Sequence, residues 1–344
     1  MDWFLQQAKV PSDIHRAAAT QHQSQLTKPA GSLGQLETLA ITLASLQGSH
    51  HPQLKNIHIH IFAADHGIAA ENVSAFPQAV TAQMVQNFSS GGAAIAVIAQ
   101  TLNADLAISN VGTVQALPEL PKVLDQRIAA GTANFAHGPA MQSAQLLAAL
   151  EVGRNSVSRQ QDLWLGGEMG IANTSSATAL ACALLQVNAQ QLVGPGTGID
   201  AAAQQHKAQV INAALALHKA NSNSPLNNLQ NLGGLEIAAL VGGYIRAAQL
   251  GVPALVDGFI CTVAAAYAIA INPSVKPWLL LSHQSAEPGQ QALFEGFAYP
   301  PLINMGMRLG EGSGAAVCLP LLKLACDLHN NMATFADAGV ANKD

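Results

Sequence analysis

The chain has 344 residues, 49% of them hydrophobic and 10% charged, with a formal net charge of −5. That composition supplies a sizeable core and excludes the basic stripe that a nucleic-acid backbone needs, so no nucleic acid is expected as a partner. The most apolar stretch, Gly258 to Ile271, is shorter than the roughly 18 residues of a membrane span and reads as a buried helix. The N-terminus, MDWFLQQAKVPSD, lacks the basic start and apolar run of a secretory signal, which makes a cytoplasmic location the expectation.

In chain order, Met1 to about Gly48 reads as helices, with Leu33, Leu36, Leu39, Leu43 and Leu46 spaced for one face and Ser32 as a candidate cap. From Leu54 to about Pro301, apolar runs alternate with Ala-rich helical stretches. This predicts an α/β fold with a Rossmann-like, mainly parallel sheet flanked by helices. Asn221 to Asn231 is rich in Asn, Ser and Pro and reads as a polar loop. After Ser313 the pattern is helical again. Residues 1–48 and 315–344 are expected to pack as a small helical domain beside a large α/β domain over 49–314. Cys182, Cys261, Cys318 and Cys326 lie among apolar neighbours with no C-x-x-C pair and read as reduced, buried thiols.

Within the α/β body one grammar recurs: a short apolar run, then a polar or acidic residue with glycine, then a helical pattern. IHIHIFAADHG ends in Asp65 and His66. LWLGGEMGIANTSSA delivers Glu168 and then Asn173, Thr174, Ser175 and Ser176 to a helix start. VPALVDGFICT carries Asp257, and WLLLSHQSAEPG presents His283, Ser285 and Glu287. In an open parallel sheet, ligands bind beyond the carboxyl ends of the strands, so these turns are expected to converge. GPGTG places Gly194, Gly196, Thr197 and Gly198 before a long helix bearing Lys207, a candidate phosphate cradle that is neither a Walker A loop nor a G-x-G-x-x-G fingerprint. The Asn173–Ser176 cluster is a second candidate.

LGEGSGA sets Glu311 between glycines just before a helical run. A carboxylate there is either a positioned base or a complement to the helix dipole. His58 and His60 alternate on a predicted strand with no acidic or cysteine partner at ligand spacing in the sequence around them, so no metal site is expected. No two acidic residues are adjacent anywhere in the chain, which removes the acidic pair common in enzymes that use phosphoribosyl pyrophosphate and favours a monophosphate donor.

Together, KPAGSLGQLE, FAADHG, SAFPQAVTAQMVQNFSSGGAAI, GEMGIANTSSA, GPGTG, LGGLEIAALVG, LVDGF, HQSAEPG and LGEGSGA span nearly the whole chain. In this order they resemble the nicotinate-nucleotide:dimethylbenzimidazole phosphoribosyltransferases of cobalamin lower-ligand synthesis. The resemblance implies transfer of the 5-phosphoribosyl group from nicotinate mononucleotide to a benzimidazole-type base, giving α-ribazole 5′-phosphate and nicotinate with inversion. It implies Glu311 as general base, with Glu168 the rival carboxylate. It carries donor-site roles onto Gly170, Asn173, Thr174, Lys207, Asp257 and Ser285, and an aromatic-base pocket onto Ser74, Phe76, Pro77, Gln83, Met84 and Leu309. A homodimer that needs no metal or other cofactor is likewise implied. Gln290 departs from the family, where histidine is expected. Two other classes compete: a catalytically silent protein that binds a nucleotide or aromatic base, and a dinucleotide-dependent oxidoreductase, whose glycine fingerprint is missing from the first βα turn.

Overall fold

The computed structural model describes residues 2–194, 196, 198 and 200–341. Strands β1 (Ile57–Ala64), β2 (Asp105–Gly112), β3 (Val123–Asp125), β4 (Leu163–Met169), β5 (Ala254–Val256) and β6 (Leu279–Leu281) form one sheet. Its order is β3-β2-β1-β4-β5-β6 and every pairing is parallel, which is the predicted architecture. The direction of winding reverses between β1 and β4, and a crevice opens at such a switch point. The helices are α1 (Asp13–Gln25), α2 (Gln35–Gln47), α3 (Ala79–Ser90), α4 (Ala94–Thr101), α5 (Ser143–Asn155), α6 (Asn173–Leu185), α7 (Ala201–Leu217), α8 (Pro225–Leu232), α9 (Leu235–Leu250), α10 (Phe259–Ile271), α11 (Ser313–Asn331) and α12 (Phe335–Ala338). Among the described residues no helix is long and apolar enough to cross a membrane.

Helices cover both faces, as a parallel sheet requires. On one face α5, α9 and α10 pack a core that includes Trp164, Tyr244 and Tyr267. On the other, Val85 and Phe88 of α3, Ile95 of α4 and Ala315, Cys318 and Leu322 of α11 meet Ile59, Ile61, Leu165 and Leu255. Leu43 of α2 joins this second core, and Leu39 and Ala40 meet Ala325 further along α11. All four cysteines are free and buried.

Three expectations change. Ser32 does not cap α2: the N-cap is Gly34, and the Glu37 carboxylate instead accepts from the N–H groups of Gly31 (3.1 Å) and Leu33 (2.9 Å) while pairing with Lys28 at 2.9 Å. The segment 221–231 is not all loop. Pro225 occupies a first-turn position of α8, where its missing N–H is harmless, and Leu229 and Leu232 bury one face that the Asn-rich composition hides. The third concerns the histidines, whose acidic partner is remote in sequence. Parallel register sets His58 opposite Asp105, and His58 Nδ1 lies 2.6 Å from Asp105 Oδ2. His58 Nε2 is 3.3 Å from His60 Nδ1, and His60 Nε2 is 2.8 Å from Ser109 Oγ.

Candidate functional site

The carboxyl ends of β1, β4, β5 and β6 deliver Asp65 and His66, Glu168, Asp257 and His283 to one edge of the sheet. Beyond them lies a cavity of about 680 Å³, a size suited to small-molecule ligands, whose lining includes Glu168, Asp257, His283 and Glu311.

Glu311 is placed by an unusual piece of backbone. Gly310, Glu311 and Gly312 have φ of 86°, 62° and 74°, three consecutive left-handed residues. For glutamate that conformation is strained, by about 1–3 kcal/mol, and such strain persists only where the surroundings hold it. Asp257 does the holding: its Oδ2 accepts from Gly312 N–H at 3.0 Å and its Oδ1 from Ala315 N–H at 2.8 Å, so a carboxylate from β5 caps α11. Position 310 favours glycine because its φ of 86° strains other residues, and a Cβ there would also come within 2.5 Å of Glu168 Oε1. Glu311 is 6% exposed, and among the described residues its buried Oε2 has no hydrogen-bond partner. Burial, and then the Asp257 charge, push its carboxyl up to about 7.

Glu168 is paired in β4 with Phe62 of β1, next to the switch point, and accepts from the Asn173 side-chain amide at the start of α6. Burial raises its carboxyl first, with Glu236, Asp257 and Glu311 adding repulsion and Asn173 opposing, to about 8. Asp257 is raised by burial and drawn back by His283, whose Nδ1 is 3.7 Å from Asp257 Oδ1, and by its backbone hydrogen bonds. Behind Glu168 lies a pair that sequence reasoning did not single out. His66 Nε2 is 2.7 Å from Glu236 Oε1, both side chains are fully buried, and His66 Nδ1 is 3.0 Å from Ser176 Oγ. Glu236 sits in the first turn of α9, so in sequence it reads only as an acid complementing a dipole.

Positive charge collects around Thr174 and Gly196. Lys207 of α7 is buried, and its Nζ donates to Thr174 Oγ1 at 2.7 Å. Burial pulls the ammonium down to about 8, against the attraction of Glu287. Gly196 N–H donates to Glu287 Oε1 at 3.1 Å, and Arg308 Nη1 donates to Gly196 O at 3.2 Å. Arg308, like Glu236, was not singled out in the sequence; its place immediately before LGEG was the available signal.

Of the residues predicted from sequence, Glu168, Gly170, Asn173, Thr174, Gly196, Asp257, Ser285 and Glu311 line the cavity, and Phe76, Met84 and Leu309 form its apolar side. Phe76 and Leu309 are 51% and 60% exposed, at the mouth. Lys207 reaches the same place through Thr174. Ser74, Pro77, Gln83 and Gly198 are not among the lining residues; Gln83 lies on the solvent side of α3, and Gly198 is exposed. Thr197 lies outside the described residues. Gln290, the departure from the family pattern, is fully buried and does not line the cavity. Its Oε1 accepts from Ser285 N–H at 2.6 Å, and its Nε2 donates to Thr262 Oγ1 at 3.0 Å and His283 O at 3.1 Å, so it braces the turn that carries Ser285.

A family model described as Phosphoribosyltransferase matches residues 8–340. The chain belongs to that family. It is 55% identical over 345 residues to the nicotinate-nucleotide:dimethylbenzimidazole phosphoribosyltransferase of Pseudomonas syringae pv. syringae (strain B728a), covering 99% of this chain and 98% of that one. It is 54% identical to the protein of the same name from Ectopseudomonas mendocina (strain ymp), covering 100% and 99%. Among solved structures, the nicotinate-nucleotide:dimethylbenzimidazole phosphoribosyltransferase from Thermus thermophilus superposes with a TM-score of 0.89 at 39% identity, covering 96% of this chain and 100% of that one. The chain is therefore a phosphoribosyltransferase of this α/β fold, and nothing in the comparisons favours a silent binding protein.

Proposed function

We propose that this enzyme transfers the 5-phosphoribosyl group of nicotinate mononucleotide to 5,6-dimethylbenzimidazole or a related base, in assembly of the cobalamin nucleotide loop. Glu311 carries the reading: a buried carboxylate with a free oxygen faces the cavity between an apolar mouth and a cationic wall. The C1′–N bond to the pyridinium breaks with its electron pair going to the ring, so nicotinate leaves without needing an acid. The lone pair of the acceptor nitrogen forms the new bond from the opposite face, inverting C1′. The positive charge that develops on the acceptor is relieved when Glu311 takes the proton from its other nitrogen.

The environment of Glu311 suits that task, because a base raised to about 7 is ionised in part at neutral pH and binds the abstracted proton firmly. Asp257 is the positioning residue for the Glu311 loop. Glu168, with Asn173, orients the ribosyl group or assists proton transfer, while Gly170 and Ser285 border it. Lys207, Thr174 and Gly196 hold the 5′-phosphate, and Phe76, Met84 and Leu309, with Ser74, Pro77 and Gln83 nearby, receive the aromatic base. The reading extends to a cytoplasmic homodimer, with α1, α2 and α11 as its small helical domain; the packing of Leu39 and Ala40 on Ala325 supports that grouping. Product analysis with nicotinate mononucleotide and competing bases tests the assignment. Nicotinate release that depends on dimethylbenzimidazole, with an α-riboside as product, is expected; a β-riboside or no release refutes it.

A further inference from the structure

The cationic side of the cavity already contains an anion that belongs to the chain. Glu287 is buried, and its Oε1 accepts the Gly196 N–H at 3.1 Å. Gly194 passes so close that a Cβ there would collide with Glu287 Oε2. Glu287 N–H in turn donates to Ser285 Oγ at 3.2 Å, which fixes the start of the side chain. Lys207 of α7 and Arg308 of the loop before Glu311 both attract the carboxylate, and Lys207 is itself held on Thr174. A glycine-loop N–H, an ammonium, a guanidinium and a hydroxyl are the groups a phosphate ester uses. A glutamate carboxylate and a phosphate dianion repel when they share them.

We infer that Glu287 is a resident counter-ion, which neutralises the phosphate cradle of the empty enzyme and whose charge leaves it, by rotation or protonation, when the donor's 5′-phosphate enters. This rests on the phosphoribosyl-transfer reading for the identity of the phosphate. Lys207 and Arg308 face Glu287, and the other ionisable groups that line the cavity, Glu168, Asp257, Cys261, His283 and Glu311, are present in every protein compared below. Burial raises the Glu287 carboxyl, with Lys207, the Gly196 N–H and Arg308 opposing. Competition is therefore strongest at alkaline pH, where Glu287 is ionised, and fades as it protonates in acid.

The test is calorimetric titration of the wild-type protein and of Glu287→Gln with inorganic phosphate and, separately, with nicotinate mononucleotide, at pH 8 and pH 5. At pH 8 the variant is expected to bind both about tenfold more tightly, and its advantage over the wild type should be smaller at pH 5. Glu287→Asp, one methylene shorter and withdrawn from Gly196, should shift affinity in the same direction and serves if the glutamine variant does not fold. Equal or weaker binding by the variants at pH 8, or an advantage that is the same at both pH values, overturns the inference. A gain for inorganic phosphate without one for the mononucleotide overturns the assignment to the donor. Base-dependent nicotinate release by the wild type is measured on its own, so failure of the transfer reading shows there and not in the phosphate titration.

Discussion

The two ends of the sheet treat buried polar groups in opposite ways. At the amino end, His58, His60, Asp105 and Ser109 form a chain of partnered groups, with Asp105 reaching solvent. At the carboxyl end, Glu168, Asp257 and Glu311 crowd one cavity with Glu236 nearby, and the cations Lys207 and Arg308 gather around Glu287. Uncompensated carboxylates oppose folding, so their retention in one place marks where stability has been exchanged for chemistry. At the amino end, by contrast, hydrogen bonding alone accounts for what is seen.

The largest expected effect separates the two ends most sharply. Glu311→Gln should lower kcat by about 10²- to 10⁴-fold while leaving donor affinity within a few-fold, read by steady-state turnover and by titration with nicotinate mononucleotide. Unchanged turnover would erase the functional half of the contrast. Next, Lys207→Met removes a buried cation that donates to Thr174 and should weaken donor binding about 10- to 100-fold. An effect confined to kcat would move Lys207 from phosphate binding to the chemical step.

The pH dependence follows from the raised carboxyls. A base with a pKa near 7 in the free enzyme is active when ionised, so kcat/KM should rise with pH through about 7 and then level. Stability should run the other way. Because Glu311 and Glu168 are raised in the folded state, that state binds more protons than the unfolded chain above about pH 4.5, and their contribution worsens as pH rises toward 7 and 8. Glu311→Gln should accordingly raise Tm at pH 8 by a few degrees and change it little at pH 4.5, measured by calorimetry. The smallest effect is expected at the other end of the sheet. His58→Ala loses a half-exposed pair, should cost about 1 kcal/mol or less by denaturant titration, and should leave turnover as it was.

The same contrast explains which parts of the site were legible in the amino-acid sequence. Glu168 and Asp257 were legible because each closes an apolar run and adjoins glycine, a local signal that a strand is ending, and Glu311 because it sits between glycines just before a helical run. The sheet then brings together what the sequence keeps apart. Glu236 was not legible: it lies inside a helical pattern, and its meeting with His66 depends on how α9 packs against β1. The His58–Asp105 pair depends in the same way on strand register. Gln290 read only as a departure from the family pattern and proves to brace the turn that carries Ser285, a role that its hydrogen bonds alone reveal. The Ser32 cap failed because the helix starts two residues later, after Gly34, while Glu37 reaches back to the N–H groups of Gly31 and Leu33.

Asp257 fastens the start of α11, and α11 is built from residues 313–331. While the ribosome is still adding that long helix, the nascent polypeptide already has all six strands of its sheet but no anchored arm at position 311. The Glu311 loop is thus fastened only after these residues emerge, so the last part of the chain to be made is what seats that arm against Asp257.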